Sequence, residues 1–206
     1  GIIAGGAAAL VRSSEGLEDV FEDGAAAISS RHVNDLDVVV GITAGGTTPY
    51  VHGALYAARQ RGATTVFIAC VPAEQAGVEA DVDIRLVVGP EILAGSTRLK
   101  AGTATKMALN ILSTGAMVRL GKVYGNRMVD VSVTNAKLRD RAIRILCDLT
   151  DLDRTAAATL LDESGQQVKL ALLMHLGQLD KVTATAKLQQ HQGQLRQALQ
   201  DGLASA

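Results

Sequence analysis

The chain has 206 residues, with 20 Lys plus Arg against 21 Asp plus Glu and 48% hydrophobic residues, a length for one ordinary domain or two small ones. A formal net charge of -1 excludes nucleic acid as the main partner, because phosphate-backbone binding needs a dense basic face, and no run reaches the roughly 18 apolar residues of a membrane-spanning helix. Cys70 and Cys147 lie far apart in apolar surroundings, which excludes a disulfide scaffold and suits a reduced, cytoplasmic protein.

Gly1-Ile2-Ile3-Ala4-Gly5-Gly6 is an apolar triplet before a glycine pair, the form of a strand end entering a turn; the expectation is a fold that starts upstream of it. A helix is expected over 17–31. Asp37-Val38-Val39-Val40-Gly41-Ile42 is a continuous apolar run bounded by turn residues, the pattern of a parallel strand buried on both faces. Residues 64–70 make a second such run and 84–88 a third, shorter one. Between the first two, Val51, Leu55 and Ala58 fall on helical spacing over 49–61. Pro49 suits the first helical turn, where a missing N–H costs nothing, and Gly62 suits the position just past the end. Strand, Gly/Thr loop, helix and strand form a right-handed βαβ crossover. Residues 101–120 carry Met107, Ile111, Leu112 and Val118 together with small residues around most of the circumference, so a buried helix closed by Gly121 is expected. After Val131 the strand pattern stops, and helices are expected over 134–148, 153–163, 166–176, 180–190 and 192–202, with Asp153 and Asp180 as N-caps. The fold class is α/β: a three-layer, Rossmann-like parallel sheet over 1–122, a linker over 122–133, and a small all-α bundle over 134–206.

Two loops have the composition of anion sites. Thr43-Ala44-Gly45-Gly46-Thr47-Thr48-Pro49 follows a strand and opens a helix, and free backbone N–H groups, hydroxyls and a helix N-terminus together attract phosphate at the carboxyl end of a parallel strand. It lacks the Gly-Lys-Ser/Thr of a P-loop, and a plain strand-to-helix turn would use the same residues. The second runs from Gly89-Pro90-Glu91 to Gly95-Ser96-Thr97-Arg98-Leu99-Lys100; Ser96 and Thr97 stand before the long helix with two cations beside them, which suits a phosphorylated or polyhydroxylated ligand and equally an ordinary helix start. The acidic stretch Glu15-Gly16-Leu17-Glu18-Asp19 favours the positive end of a helix, and composition does not select Glu18 over Glu15 or Asp19. His32, His52, His175 and His191 are scattered, and no Cys/His spacing indicates a metal. Asn126, Asp130 and Asn135 form a polar patch with the character of structural caps.

The runs Gly95-Ser96-Thr97-Arg98-Leu99-Lys100-Ala101-Gly102-Thr103, Leu109-Asn110-Ile111-Leu112-Ser113-Thr114-Gly115, Gly121-Lys122-Val123-Tyr124-Gly125-Asn126-Arg127-Met128-Val129-Asp130-Val131 and Thr134-Asn135-Ala136-Lys137-Leu138 are long and specific. Through them the whole chain resembles the bacterial N-acetylmuramic acid 6-phosphate etherases, relatives of the glucokinase regulatory protein. The resemblance implies a sugar-isomerase-type (SIS) α/β domain followed by a small helical domain, a homodimer, no metal or organic cofactor, and a phosphorylated amino sugar as substrate. It implies removal of D-lactate from N-acetylmuramate 6-phosphate in cytoplasmic recycling of cell-wall sugar. The family motif Glu-Gly-Ala-Glu-Asp carries a catalytic carboxylate on its second Glu; the match Glu15-Gly16-Leu17-Glu18-Asp19 puts that role on Glu18, the base at C2. Gly45, Gly46, Thr47, Thr48, Glu91, Ser96 and Thr97 are the expected substrate-binding residues. The family's second carboxylate lies in an upstream Ser-Glu-Cys-Pro-Pro segment that these residues do not contain, so the 206-residue piece alone is expected to lack activity and to fold poorly as a monomer. Where the family reads Ala-Ser-Gly-Arg-Thr-Pro-Tyr, this chain has Gly45 and Thr47 in the Ser and Arg positions. The alternative role is a non-catalytic sugar-phosphate-binding regulator of the glucokinase-regulatory-protein type.

Overall fold

Three parallel strands form the sheet in the order β1-β2-β3: β1 Val38–Thr43, β2 Thr64–Ala69 and β3 Val82–Arg85. Val38 lies beside Thr64 and Val66 beside Val82. The expected third strand over 84–88 is therefore displaced toward the N-terminus. The cause is Asp81, whose carboxylate accepts from both the N–H and the hydroxyl of buried Thr65, each at 2.7 Å, while its own N–H donates to the Thr65 hydroxyl at 3.1 Å. This clasp starts β3 at Val82, and pairing runs out where β2 ends, so Val87 and Val88 have β propensity but no strand partner. The computed structural model describes residues 1–12 and 15–203, in two units, Gly1–Asn110 and Ile111–Ala206.

In the first unit, short 3₁₀ turns at Gly6–Leu10 and Leu17–Asp19 precede helix α1, Phe21–Ser29. The single expected helix over 17–31 thus divides in two, because Val20 takes an extended conformation between the pieces. Helix α2, Pro49–Arg59, crosses from β1 to β2 with Pro49 in its first turn. α1 and α2 meet backbone to backbone: a Cβ on Gly24 would lie 1.9 Å from the Tyr50 carbonyl oxygen, and one on Gly53 would lie 2.0 Å from that of Phe21. Beneath this crossing Ile28, Ala57, Ala58 and Ala63 are buried together, while Leu55, Phe67 and Ala69 form the core between α2 and the sheet.

β1 and the helix expected over 101–120 are both less covered than their apolar patterns favour. β1 is covered on one face only: Gly41 and Thr43 are buried, whereas Val38, Val40 and Ile42 are exposed. Among the described residues β1 is also a free edge of the sheet. Helix α3, Lys100–Arg119, forms where expected but is not buried; of its residues only Ala101 is, and Met107, Ile111 and Val118 are exposed. Apolar residues around a whole helix report that the surface favours cover, and the pattern contains nothing about which element supplies it.

In the second unit the stretch 122–133 is not a bare linker. β4 Val123–Tyr124 and β5 Arg127–Met128 pair antiparallel across the two-residue loop Gly125-Asn126. Helices α4 Ala136–Leu149, α5 Arg154–Glu163, α6 Val168–Leu176, α7 Lys181–Gln190 and α8 Leu195–Leu203 follow, each within a few residues of expectation. Asn135, Asp153 and Asp180 cap α4, α5 and α7 by accepting from Leu138, Ala156 and Thr183 N–H groups at 2.9, 2.8 and 2.7 Å. α6 is buried along nearly its whole length and is the hub of this unit's core, packed with Leu146, Leu161 and Leu195. Asp130 pairs with Lys122 and with Lys169, at 3.7 Å for the latter, and these cations hold its carboxyl below the usual range.

Candidate active site

The exposed side of β1 forms one wall of a cleft of about 660 Å³ in the first unit. Glu18, Thr48 and Thr97 all line it, together with Ile2, Ile3 and Tyr50. Three residues singled out from three separate stretches of sequence thus line one cleft along β1. Glu18 stands in the single 3₁₀ turn Leu17–Asp19, exposed, just before α1. Thr97 ends the approach to α3, where its carbonyl accepts the Gly102 N–H at 2.9 Å.

Thr48 belongs to the loop joining β1 to α2. Its hydroxyl lies 2.7 Å from that of Thr43, and Thr43 also accepts the Gly46 N–H at 3.3 Å. Gly46 has φ of 84°, a left-handed conformation that disfavours any side chain, and a Cβ there would lie 2.5 Å from that of Ala76. A Cβ on Gly45 would meet nothing within 4 Å. Among the described residues the N–H groups of Gly45, Thr47, Thr48 and Tyr50 donate to no protein acceptor. Unpaired amides beside the N-terminus of an 11-residue helix offer an oxyanion donors and a favourable dipole. Gly45, Gly46 and Thr47 do not line the cleft themselves; of this loop, Thr43, Ala44 and Thr48 do.

Ser96 is half-buried beside Thr97, outside the cleft lining. Glu91 is occupied locally: its two carboxylate oxygens accept the N–H groups of Lys100 and Ala101 at 2.9 and 3.0 Å, so it caps α3 from nine residues upstream. Those two donated bonds hold its carboxyl below its ordinary value of 4.5. A carboxylate with a lowered folded-state pKa stabilises the fold fully above the unfolded value, and that contribution fades as pH falls through the folded value. Glu91→Gln is therefore expected to lower the thermal midpoint at neutral pH, with the gap to wild type closing below about pH 4. Thermal scans across this range check it; a gap independent of pH would remove the charge from the explanation.

Sequence reasoning passed over His52 and Arg85. His52 Nε2 donates to the Gly46 carbonyl at 2.8 Å, and Arg85 donates to the carbonyls of Ala76 and Val71 at 2.8 and 3.5 Å. Their one sequence signal is placement: His52 falls in the first turns of the helix that the loop opens, and Arg85 ends the neighbouring strand. Among the described residues no group of three or more His, Cys, Asp or Glu is arranged to hold a metal ion, and no helix is long and apolar enough to cross a membrane.

The family described as glucokinase regulatory protein N-terminal SIS domain matches residues 1–59. A protein of Nostoc punctiforme named N-acetylmuramic acid 6-phosphate etherase is 72% identical over 199 residues, which cover 97% of this chain and 65% of the relative. Relatives of the same name from Synechocystis sp. and Crocosphaera subtropica are 73% and 71% identical, covering 97% and 98% of this chain and 65% and 66% of their own lengths. The chain thus spans just under two thirds of the length of the curated relatives it matches.

Proposed function

We propose that this chain belongs to the N-acetylmuramic acid 6-phosphate etherase family and forms part of the site that removes D-lactate from N-acetylmuramate 6-phosphate, leaving N-acetylglucosamine 6-phosphate. The observation that carries this reading is the meeting of Glu18, Thr48 and Thr97 on one cleft. In the open-chain sugar the C1 aldehyde acidifies the C2 proton. Glu18 takes that proton, the C2–C3 double bond forms, and the C3–O bond breaks with lactate leaving as its hydroxyl once protonated. Water then adds at C3 and a proton returns to C2. Such a β-elimination needs one base and one acid. Glu18 is the base, and the acid is the second carboxylate that the family carries in its Ser-Glu-Cys-Pro-Pro segment. The unpaired loop amides of Gly45, Thr47 and Thr48, in the turn that Gly46 shapes, hold the phosphorylated sugar with Ser96 and Thr97; Glu91 acts on this set by fixing the start of α3. The reaction needs no metal or organic cofactor.

The reading includes a homodimer, supported by the apolar sides that α3 leaves uncovered at Met107, Ile111, Leu112 and Val118, and a cytoplasmic setting for sugar recycling. The regulator reading is weaker, because the curated relatives bear the etherase name and a carboxylate stands in the cleft.

The test is D-lactate release from N-acetylmuramate 6-phosphate by the full-length protein; no release with intact substrate binding would favour the regulator. Within that assay Ser96→Ala and Thr97→Ala are expected to raise KM several-fold, the worth of a lost hydrogen bond at about 0.5–1.5 kcal/mol. The larger rise is expected for Thr97, which lines the cleft. Equal affinity for N-acetylglucosamine 6-phosphate in wild type and both variants, measured by calorimetry, would remove these hydroxyls from the site.

A further inference from the structure

We propose that His52 is a positioning residue for the phosphosugar, acting through the Gly46 carbonyl to set the loop between β1 and α2; the proposal rests on the reading of that loop as the phosphate cradle. The loop has two adjacent glycines and needs an external hold, because glycine loses more conformational freedom on ordering than any other residue. His52 supplies it from the α2 side. Its Nε2–H donates to Gly46 O at 2.8 Å, which fixes the orientation of the peptide group leading into Thr47. The imidazole is fixed in turn, lying 5.8 Å from the ring of fully buried Phe67, tilted by 39°.

The same loop is buttressed from the other side. Arg85, with a side chain only 13% exposed, sits 4.9 Å from the Phe67 ring centroid and pairs with Asp83 at 2.6 Å. Its bonds to the Val71 and Ala76 carbonyls tie down the segment whose Ala76 Cβ fills the space where a Gly46 side chain would stand. Gly46 is thus gripped between a hydrogen bond from α2 and a packed wall beyond β2. His52 is absent from the cleft lining, so it acts on the ligand only by placing the amides. An amide held in place before binding costs the ligand no ordering free energy, and losing that hold weakens affinity without touching the proton transfers at C2 and C3.

The test uses the full-length protein with His52→Ala and His52→Gln, the amide of Gln being able to donate to Gly46 O. KM for D-lactate release, and the Kd for N-acetylglucosamine 6-phosphate by calorimetry, are expected to rise about threefold to tenfold in His52→Ala. kcat should stay within about twofold, as expected when only uniform binding is lost. His52→Gln should recover at least half of the affinity loss on a logarithmic scale. A purely structural role would instead lower Tm and active fraction in both variants with unchanged KM and Kd, and that outcome overturns the proposal, as does unchanged affinity in His52→Ala. If the wild type releases no lactate yet binds N-acetylglucosamine 6-phosphate, and His52→Ala weakens that binding, the positioning role stands and only the etherase reading falls. Wild type that binds no phosphosugar overturns both.

Discussion

Replacing Glu18 by Gln in the full-length protein is expected to cut D-lactate release by roughly 10²–10⁴-fold, the usual contribution of a general acid–base group. Gln keeps the size and the hydrogen-bonding carbonyl of the side chain but cannot take the C2 proton. Because Glu18 is exposed on a single turn at the cleft, its removal leaves no hole in a core, and Tm should be nearly unchanged. Substrate affinity should change little, since in the proposed site the phosphate end lies at the loop and not at the base. Exchange of the C2 proton with solvent deuterium gives an independent readout: it should be lost along with turnover. Full activity in Glu18→Gln would transfer the base to another residue, with Glu15 and Asp19 the nearest carboxylates in sequence.

Gly53→Ala is expected to produce a large loss of stability. The added methyl carbon would lie 2.0 Å from the Phe21 carbonyl oxygen and 2.8 Å from its carbon. Both are backbone atoms, so no side-chain rotation relieves the contact; α1 and α2 must separate. Separation opens the cluster of Ile28, Ala57, Ala58 and Ala63. Alanine's better helix propensity returns at most about 1 kcal/mol, against an overpacking cost at the upper end of the usual range of about 1–3 kcal/mol, because both clashing atoms are backbone. A net loss of about 2 kcal/mol is a large share of a typical 5–15 kcal/mol total. Gly45→Ala, where a Cβ meets nothing within 4 Å, is the control that should unfold like wild type. Chemical denaturation compares the two; an unchanged midpoint for Gly53→Ala would mean that the helices sit farther apart in solution.

What could be read from the sequence was what depends on neighbours in sequence. Asp153 and Asp180 were legible as caps because a cap is made with an N–H three residues on. β1 and β2 were legible because an unbroken apolar run between turn residues has few other uses. Burial was not, because the exposed face of β1 and the bare sides of α3 depend on which elements lie against them. The hairpin of β4 and β5 escaped because two-residue strands have no measurable period, and β3 shifted because Asp81 finds Thr65 across sixteen positions of chain. In the site, the acidic stretch around Glu18 was visible, but only the family resemblance chose Glu18 within it. Glu91 carries no local cap signature, because the N–H groups that it accepts lie nine and ten residues on, and His52 offers no motif, because its bond reaches back to a loop carbonyl.

The capped helices of the second unit also bear on the order in which the chain gains structure. Three of the helices there, α4, α5 and α7, begin on a cap made within their own first turn, and each helix packs mostly on the next one or the one after. The sheet of the first unit is different in kind: Val38 must find Thr64, and Thr65 must find Asp81, before any ladder exists. Closing such long loops costs entropy before contacts repay it, and topologies rich in distant pairings assemble more slowly than local ones. The helical unit is thus set to acquire its hydrogen bonds early, while the part of the chain that holds the cleft completes last.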